Sequence, residues 1–207
     1  MGQLAIDHVV IPVGDLASAA SVLESKYGLM SVEGGRHPGW GTANRIVPLG
    51  DAYLELVTVV DGDAARKSPF GRWVLGAKTG EPLGWAVRTD AIEEVAVRLG
   101  LPVSDGSRTT PDGRVVRWRT VGLQQATTEP ALPFFIEWGD PAAVPWRAPV
   151  SHPSGDVRIL GVGLSEDAAR IRDWLAENDL PLSVTPGPSG VTAVLVGDDD
   201  REFDVRI

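Results

Sequence analysis

The chain is expected to be an α+β protein made of repeated βαβββ units, two of them paired into a curved mixed sheet round a cavity, with a third βαβββ-like unit at the C-terminal end. Three observations carry this expectation. Stretches of period-two apolar alternation and of three- and four-residue apolar spacing follow one another in the same order three times. The helix ends also repeat, since Tyr27-Gly28-Leu29 can be laid on Leu99-Gly100-Leu101, and Leu101-Pro102-Val103 is echoed by Leu180-Pro181-Leu182. Finally, a stretch holding Pro141, Pro145, Pro149 and Pro153 separates a double unit from a single one. The expected divisions are residues 1–140 (units 1–60 and 80–140, with a connecting helix over about 68–77), a linker over 141–156 and a third unit over 157–207.

In the first unit, Leu4 to Val13 alternates, which sets Ile6, His8 and Val10 on one strand face and Asp7, Val9 and Ile11 on the other. Asp15 caps a helix whose apolar stripe is Leu16, Ala19, Ala20, Leu23 and Tyr27, and Gly28 stops it. A short strand over Met30–Glu33 leads into Gly34–Thr42, too rich in glycine for regular structure and expected to be a functional loop or flap. Asn44–Leu49 and Tyr53–Val60 form a hairpin around Gly50-Asp51-Ala52. In the second unit, Ser68-Pro69 starts the connecting helix, and a strand over Gly84–Arg88 precedes a helix capped at Thr89 or Asp90. Strands over Val115–Val121 and Pro133–Trp138, separated by a loop, complete it. The third unit has a strand over Val157–Leu164, a helix capped by Ser165 that carries Ile171 and Trp174, and strands over Val191–Val196 and Glu202–Ile207 about an Asp198–Asp200 turn.

The chain of 207 residues is 43% hydrophobic and 23% charged, enough to bury its own core, and it has no cysteine, which excludes disulfides, thiolate metal sites and a thiol nucleophile. A formal net charge of −9 repels polyanions, so no nucleic-acid partner is expected. No apolar run reaches the ~18 residues of a membrane span and no signal-peptide pattern opens the chain, so a cytoplasmic protein with no membrane partner is expected. GxSxG, HExxH and phosphate-loop patterns are missing. Only three histidines, His8, His37 and His152, are present, so any catalytic or metal site must lean on carboxylates. His152, in a Ser-His-Pro stretch, is expected to be exposed. Arg36, His37 and Trp40 bring a cation, an acid or base and an aromatic surface within five residues, and alternation must turn either Asn44 or Arg45 toward a cavity.

The repeated unit, with His8 early in its first strand and Glu55 in its closing strand, resembles the vicinal oxygen chelate superfamily. Ile6-Asp7-His8-Val9-Val10, Gly35 through Asn44, and Tyr53-Leu54-Glu55-Leu56-Val57 are similar to its glyoxalase-like branch. The resemblance implies a divalent metal ion held by His8, Glu55 and Glu137. The fourth family position falls near Leu83 or Gly84, neither of which offers a metal-binding side chain. It further implies isomerase- or lyase-type chemistry on a small oxygenated, anionic substrate, with His37 and Glu137 in catalysis and Arg36, Trp40, Asn44 and Arg45 contacting the substrate. A metal-free binding protein of the bleomycin-resistance type is the alternative. Units of this fold pair, so the third is expected to pack outside the pair or to meet its counterpart in a homodimer, supplying no main ligand.

Overall fold

The computed structural model describes residues 2–207. The first unit runs β1 (Ala5–Pro12), α1 (Leu16–Tyr27), β2 (Val32–His37), β3 (Thr42–Leu49) and β4 (Ala52–Val59). Two short helices, α2 (Gly62–Lys67) and α3 (Pro69–Leu75), lead to the second unit: β5 (Gly84–Arg88), α4 (Ile92–Leu99), β6 (Ser104–Thr109), β7 (Val115–Val121), α5 (Leu123–Ala126) and β8 (Phe134–Trp138). The strand orders β1-β4-β3-β2 and β5-β8-β7-β6 are identical, the first strand of each unit lying parallel to its last. The units join where β1 runs antiparallel to β5 and where Arg36 of β2 pairs with Thr109 of β6, which closes an eight-stranded barrel.

Local signals explain the helix ends. Asp15 accepts from the Ser18 amide at the start of α1, and Gly28, left-handed at φ 65°, ends it by donating to Glu24 and Leu23 carbonyls. Ser68 caps α3 through the Gly71 amide, with Pro69 at the first helical position. At α4 the cap position is Ala91, whose own amide is bound by Thr89 Oγ1.

Three segments differ from expectation. The glycine-rich stretch is mostly strand: β2 continues to His37, with a bulge at Gly34, and only the turn before Thr42 is irregular. A strand, β6, forms from the polar run Ser-Asp-Gly-Ser-Arg-Thr because β7 pairs with it along its whole length. The proline-rich stretch packs on the barrel. A 3₁₀ turn over Pro145–Arg147 sets Trp146 against Tyr53 and Trp138, with the Arg88 guanidinium over its ring. His152 is half-buried there, accepting from the Met30 amide at 2.9 Å and meeting the Pro48 carbonyl through Nε2 at 2.6 Å.

The C-terminal unit repeats the element order as β9 (Arg158–Ser165), α6 (Ala168–Trp174), β10 (Leu182–Thr185), β11 (Gly190–Gly197) and β12 (Glu202–Asp204). Asp167, not Ser165, caps its helix. Its pairing differs from the first two units, since β9 lies parallel to β10 and antiparallel to β11, giving the order β10-β9-β11-β12. This sheet packs on the outside of the barrel, in one core with Val9, Ile11, Trp85, Phe135 and Leu23. Trp174 sits at the seam, donating to the Pro133 carbonyl at 2.8 Å beside Phe135. Truncating it opens a cavity between sheet and barrel, so Trp174→Ala is expected to lower unfolding stability by about 3–5 kcal/mol, measured by urea denaturation, while leaving the barrel interior intact.

Candidate functional site

The barrel interior holds a cavity of about 30 Å³. From the first unit it is lined by His8 of β1, His37 at the end of β2, Trp40, Asn44 of β3, and Tyr53 and Glu55 of β4. The second unit adds Arg108 of β6, Trp118 of β7, and Phe134, Ile136 and Trp138 of β8, with Phe70 of α3 and Leu123 of α5 closing the side.

His8 owes its setting to a bulge. Between Ile6 and His8 the register of β1 against β5 shifts, and Asp7 has no partner opposite it. Asp7 is fully buried and its Oδ1 lies 2.5 Å from His8 Nδ1, while its Oδ2 accepts from Trp138 Nε1 at 2.9 Å. With Asp7 Oδ1 at Nδ1, the ring nitrogen left to face the cavity is Nε2. His8 Nε2 stands 3.7 Å from Glu55 Oε2, and Tyr53 stacks on the ring at 4.6 Å. Asn44 Nδ2 donates to Glu55 Oε1 at 2.5 Å, which leaves the carboxylate's other oxygen facing His8. Burial, with Asp7 and Glu55 nearby, pushes the Tyr53 hydroxyl well above its usual pKa, so it stays protonated. His37 is buried too, with Nδ1 at 3.0 Å from Thr42 Oγ1. Desolvation lowers its pKa to about 4, the Glu55 charge opposing and the Arg108 charge assisting, so the ring is neutral near pH 7.

The structure brings together His8, Glu55, His37, Asn44 and Trp40. Of the Asn44–Arg45 pair, Asn44 faces the cavity; Arg45 turns outward to Ser31, and Arg36 is exposed. Glu137 is on the outer face of β8, paired with Arg119 and accepting from the Ile92 amide. Setting Glu137 against Glu55 is one residue out of register: Phe134 and Ile136 are the inward residues of β8, as Tyr53 and Glu55 are of β4, and a one-residue slip moves a side chain to the other face. Asp204 binds the Val194 amide in the outer sheet. Two buried groups escape the sequence reading. Asp7 is hidden because regular alternation turns it away from His8, and Arg108 because its strand is polar throughout.

A divalent metal, which the resemblance implies, can be tested against this donor set. Among the described residues no three histidine, aspartate or glutamate side chains converge. His8 and Glu55 are spaced as two ligands could be, but the inward positions of the second unit are Ala86, Phe134 and Ile136, and the cavity's other charge is the Arg108 cation. Two protein donors would leave about four positions of a six-coordinate ion to water. Roughly 10–15 Å³ per water allows about two in this space. The residues do not fit a resident divalent ion.

A solved structure described as a hypothetical protein from Staphylococcus aureus is similar over 96% of this chain and 93% of its own, with a TM-score of 0.74 at 17% identity. That likeness shows the fold. A methylmalonyl-CoA epimerase of Streptomyces coelicolor, solved with 2-nitronate-propionyl-CoA, matches 67% of this chain and 100% of its own at 20% identity and a TM-score of 0.49. The methylmalonyl-CoA epimerase of Mycobacterium tuberculosis matches 65% and 86% at 17% identity and a TM-score of 0.46. No curated protein sequence matches significantly. Residues 6–178 match the family described as glyoxalase-like domain, which spans the whole barrel and reaches past α6. The chain belongs to the glyoxalase-like domain family.

Proposed function

We propose that the chain is a proton-transfer enzyme, of isomerase or lyase type, that acts on a small oxygenated, anionic substrate in the barrel cavity with His8 and Glu55 as its acid–base pair. The observation that carries this reading is the Asp7–His8 alignment, which presents Nε2 at 3.7 Å from Glu55 Oε2 inside a cavity walled by aromatic rings. A carbon-bound proton next to a carbonyl can be taken by one base and returned by the other's conjugate acid. Asp7 holds the imidazole in the tautomer that this needs and stabilises the imidazolium once it forms. Asn44 fixes the Glu55 carboxylate, and the neutral His37 ring donates toward developing oxyanion charge when the Thr42 hydroxyl donates to its Nδ1. The metal-dependent form of this chemistry lacks the donors it would need.

The aromatic walls Trp40, Phe70, Trp118, Phe134 and Trp138 also suit a ligand-sequestering protein that changes no bond. Carbon–hydrogen exchange in D₂O, followed by proton NMR over a panel of small 2-oxo and 2-hydroxy acids, separates the two. Exchange is expected, reduced by on the order of 10²–10⁴ in His8→Asn and in Glu55→Gln, lowered also in Asp7→Asn, and unaffected by chelator. Exchange lost to chelator and restored by a divalent ion would overturn the metal-independent reading. Tryptophan quenching without exchange, equal in wild type and His8→Asn, would favour the binding protein.

His37 gives a pH signature. Its folded pKa of about 4 lies below the unfolded 6.5, so above pH 6.5 neither state is protonated and the group has no effect. As pH falls from 6.5 toward 4 the unfolded chain takes up a proton that the folded protein refuses, and stability drops, by about 3 kcal/mol at the limit. Urea unfolding of wild type and His37→Gln across that window is expected to show the drop in wild type and a shallower slope in the variant.

A further inference from the structure

Arg108 is 7% exposed, yet no carboxylate pairs with it and its Nε has no hydrogen-bond partner among the described residues. Asp7 and Glu55, the carboxylates of the interior, are already held by His8, Trp138 and Asn44. A buried cation without a partner is costly unless something supplies the opposite charge. The position of Arg108 indicates what that is. It lines the inner cavity and also a second space of about 360 Å³, so the guanidinium stands between the two. The second space adjoins the barrel interior and opens outward past the exposed Glu33, Asp112, Arg114 and Arg147, Arg114 being paired with Asp112, while its inner part is apolar. Ile46 follows Asn44 on the inward face of β3, Val116 precedes Trp118 on that of β7, and Val144 and Pro145 of the segment after β8 roof it. Gly34 makes the partition possible: a Cβ there would lie 2.1 Å from Asn44 Oδ1 and 3.1 Å from Arg108 Nη1.

We infer that Arg108 is the anchor for a carboxylate whose apolar body lies in the outer space against Ile46, Val116 and Val144, with the reacting end directed into the inner cavity. The inner cavity, at about 30 Å³, is too small for more than a few atoms, so the bulk of such a ligand must stay on the outer side of Arg108. A planar carboxylate matches the guanidinium fork and replaces its missing counter-charge. The inference rests on the barrel interior being the ligand site, as in the proposed function, and it names the substrate class: a carboxylic acid with an apolar body of several carbons.

The test is a titration of the full chain with acetate, octanoate and octan-1-ol, read by tryptophan fluorescence, with melting temperatures of the ligand-free proteins. Octanoate is expected to bind at least tenfold tighter than either acetate or octanol. Arg108→Gln is expected to lose that octanoate preference by tenfold or more, Arg108→Lys to keep part of it, and Ala143→Asp, in the outer space, to weaken octanoate but not acetate. Ligand-free Arg108→Gln is expected to melt at the wild-type temperature or higher, since an unpaired buried charge has been removed. Octanol binding as tightly as octanoate, no octanoate binding below 10 mM, unchanged affinity in Arg108→Gln, or a melting temperature lowered by that substitution would each overturn the inference. Octanoate affinity retained in His8→Asn supports the anchor even where no proton exchange is found, so failure of the chemistry and failure of the anchor are told apart.

Discussion

The site depends on one irregularity at the seam between the two halves of the barrel. In a regular strand neighbouring side chains point to opposite faces, and Asp7 and His8 could not touch within the interior. The shift of β1 against β5 leaves Asp7 unopposed, and the carboxylate folds in behind the imidazole. Its second oxygen is bound by Trp138, which belongs to the other unit, so one buried carboxylate fixes the histidine and ties the two halves together at the same point. Removing it would leave an indole N–H and an imidazole N–H unsatisfied in the core, each comparable in cost to a lost hydrogen bond or more.

The two units have one topology and opposite chemistry. In the first, inward positions carry His8, Asn44, Tyr53, Glu55 and His37; in the second, the matching strands present Ala86, Phe134, Ile136, Trp118 and Trp138, with Arg108 as the one charge that the described residues of this unit bring to the inner cavity. A symmetric pair would surround a central ion with donors from both sides. Here one wall is polar and the other apolar and aromatic, a division that suits an organic ligand lying between a reactive face and a packing face. The apolar wall also lowers the local polarity, which strengthens the electrostatic interactions that the first unit makes.

Much of this was legible in the sequence because burial imposes period on the chain. The alternation of Leu4–Val13 and Tyr53–Val60 located β1 and β4, the family resemblance joined His8 with Glu55, and the glycines after α1 and α4 marked both helix ends. One failure has a simple cause: alternation fixes which residues share a face but not which face is inside. Glu137 was one residue out of register with Glu55 for that reason, since Phe135 and Glu137 share the outer face of β8. β6 was invisible because its Ser-Asp-Gly-Ser-Arg-Thr run has no apolar period, and its strand conformation comes from β7 alongside. His152 read as exposed because a proline-rich stretch suggests a free linker; the bonds to Met30 and Pro48 that bury it are far away in sequence.

The outer sheet bears on the interior without touching it. An interior holding Asp7, Glu55, His8, His37 and an unpaired Arg108 gives up much of the apolar packing on which a barrel of this size depends. The outer face of the barrel compensates. Val9 and Ile11 of β1, Trp85 of β5 and Phe135 of β8 are packed on their outer sides against α1, α4 and the C-terminal sheet, with Trp174, Val162 and Val194 completing the contact. The third unit therefore has a physical role even though its pairing differs from the first two and it contributes nothing to the cavity lining. By making the outer surface of the barrel a second core, it offsets the apolar packing given up by the polar groups on the inner faces of β1, β2, β4 and β6.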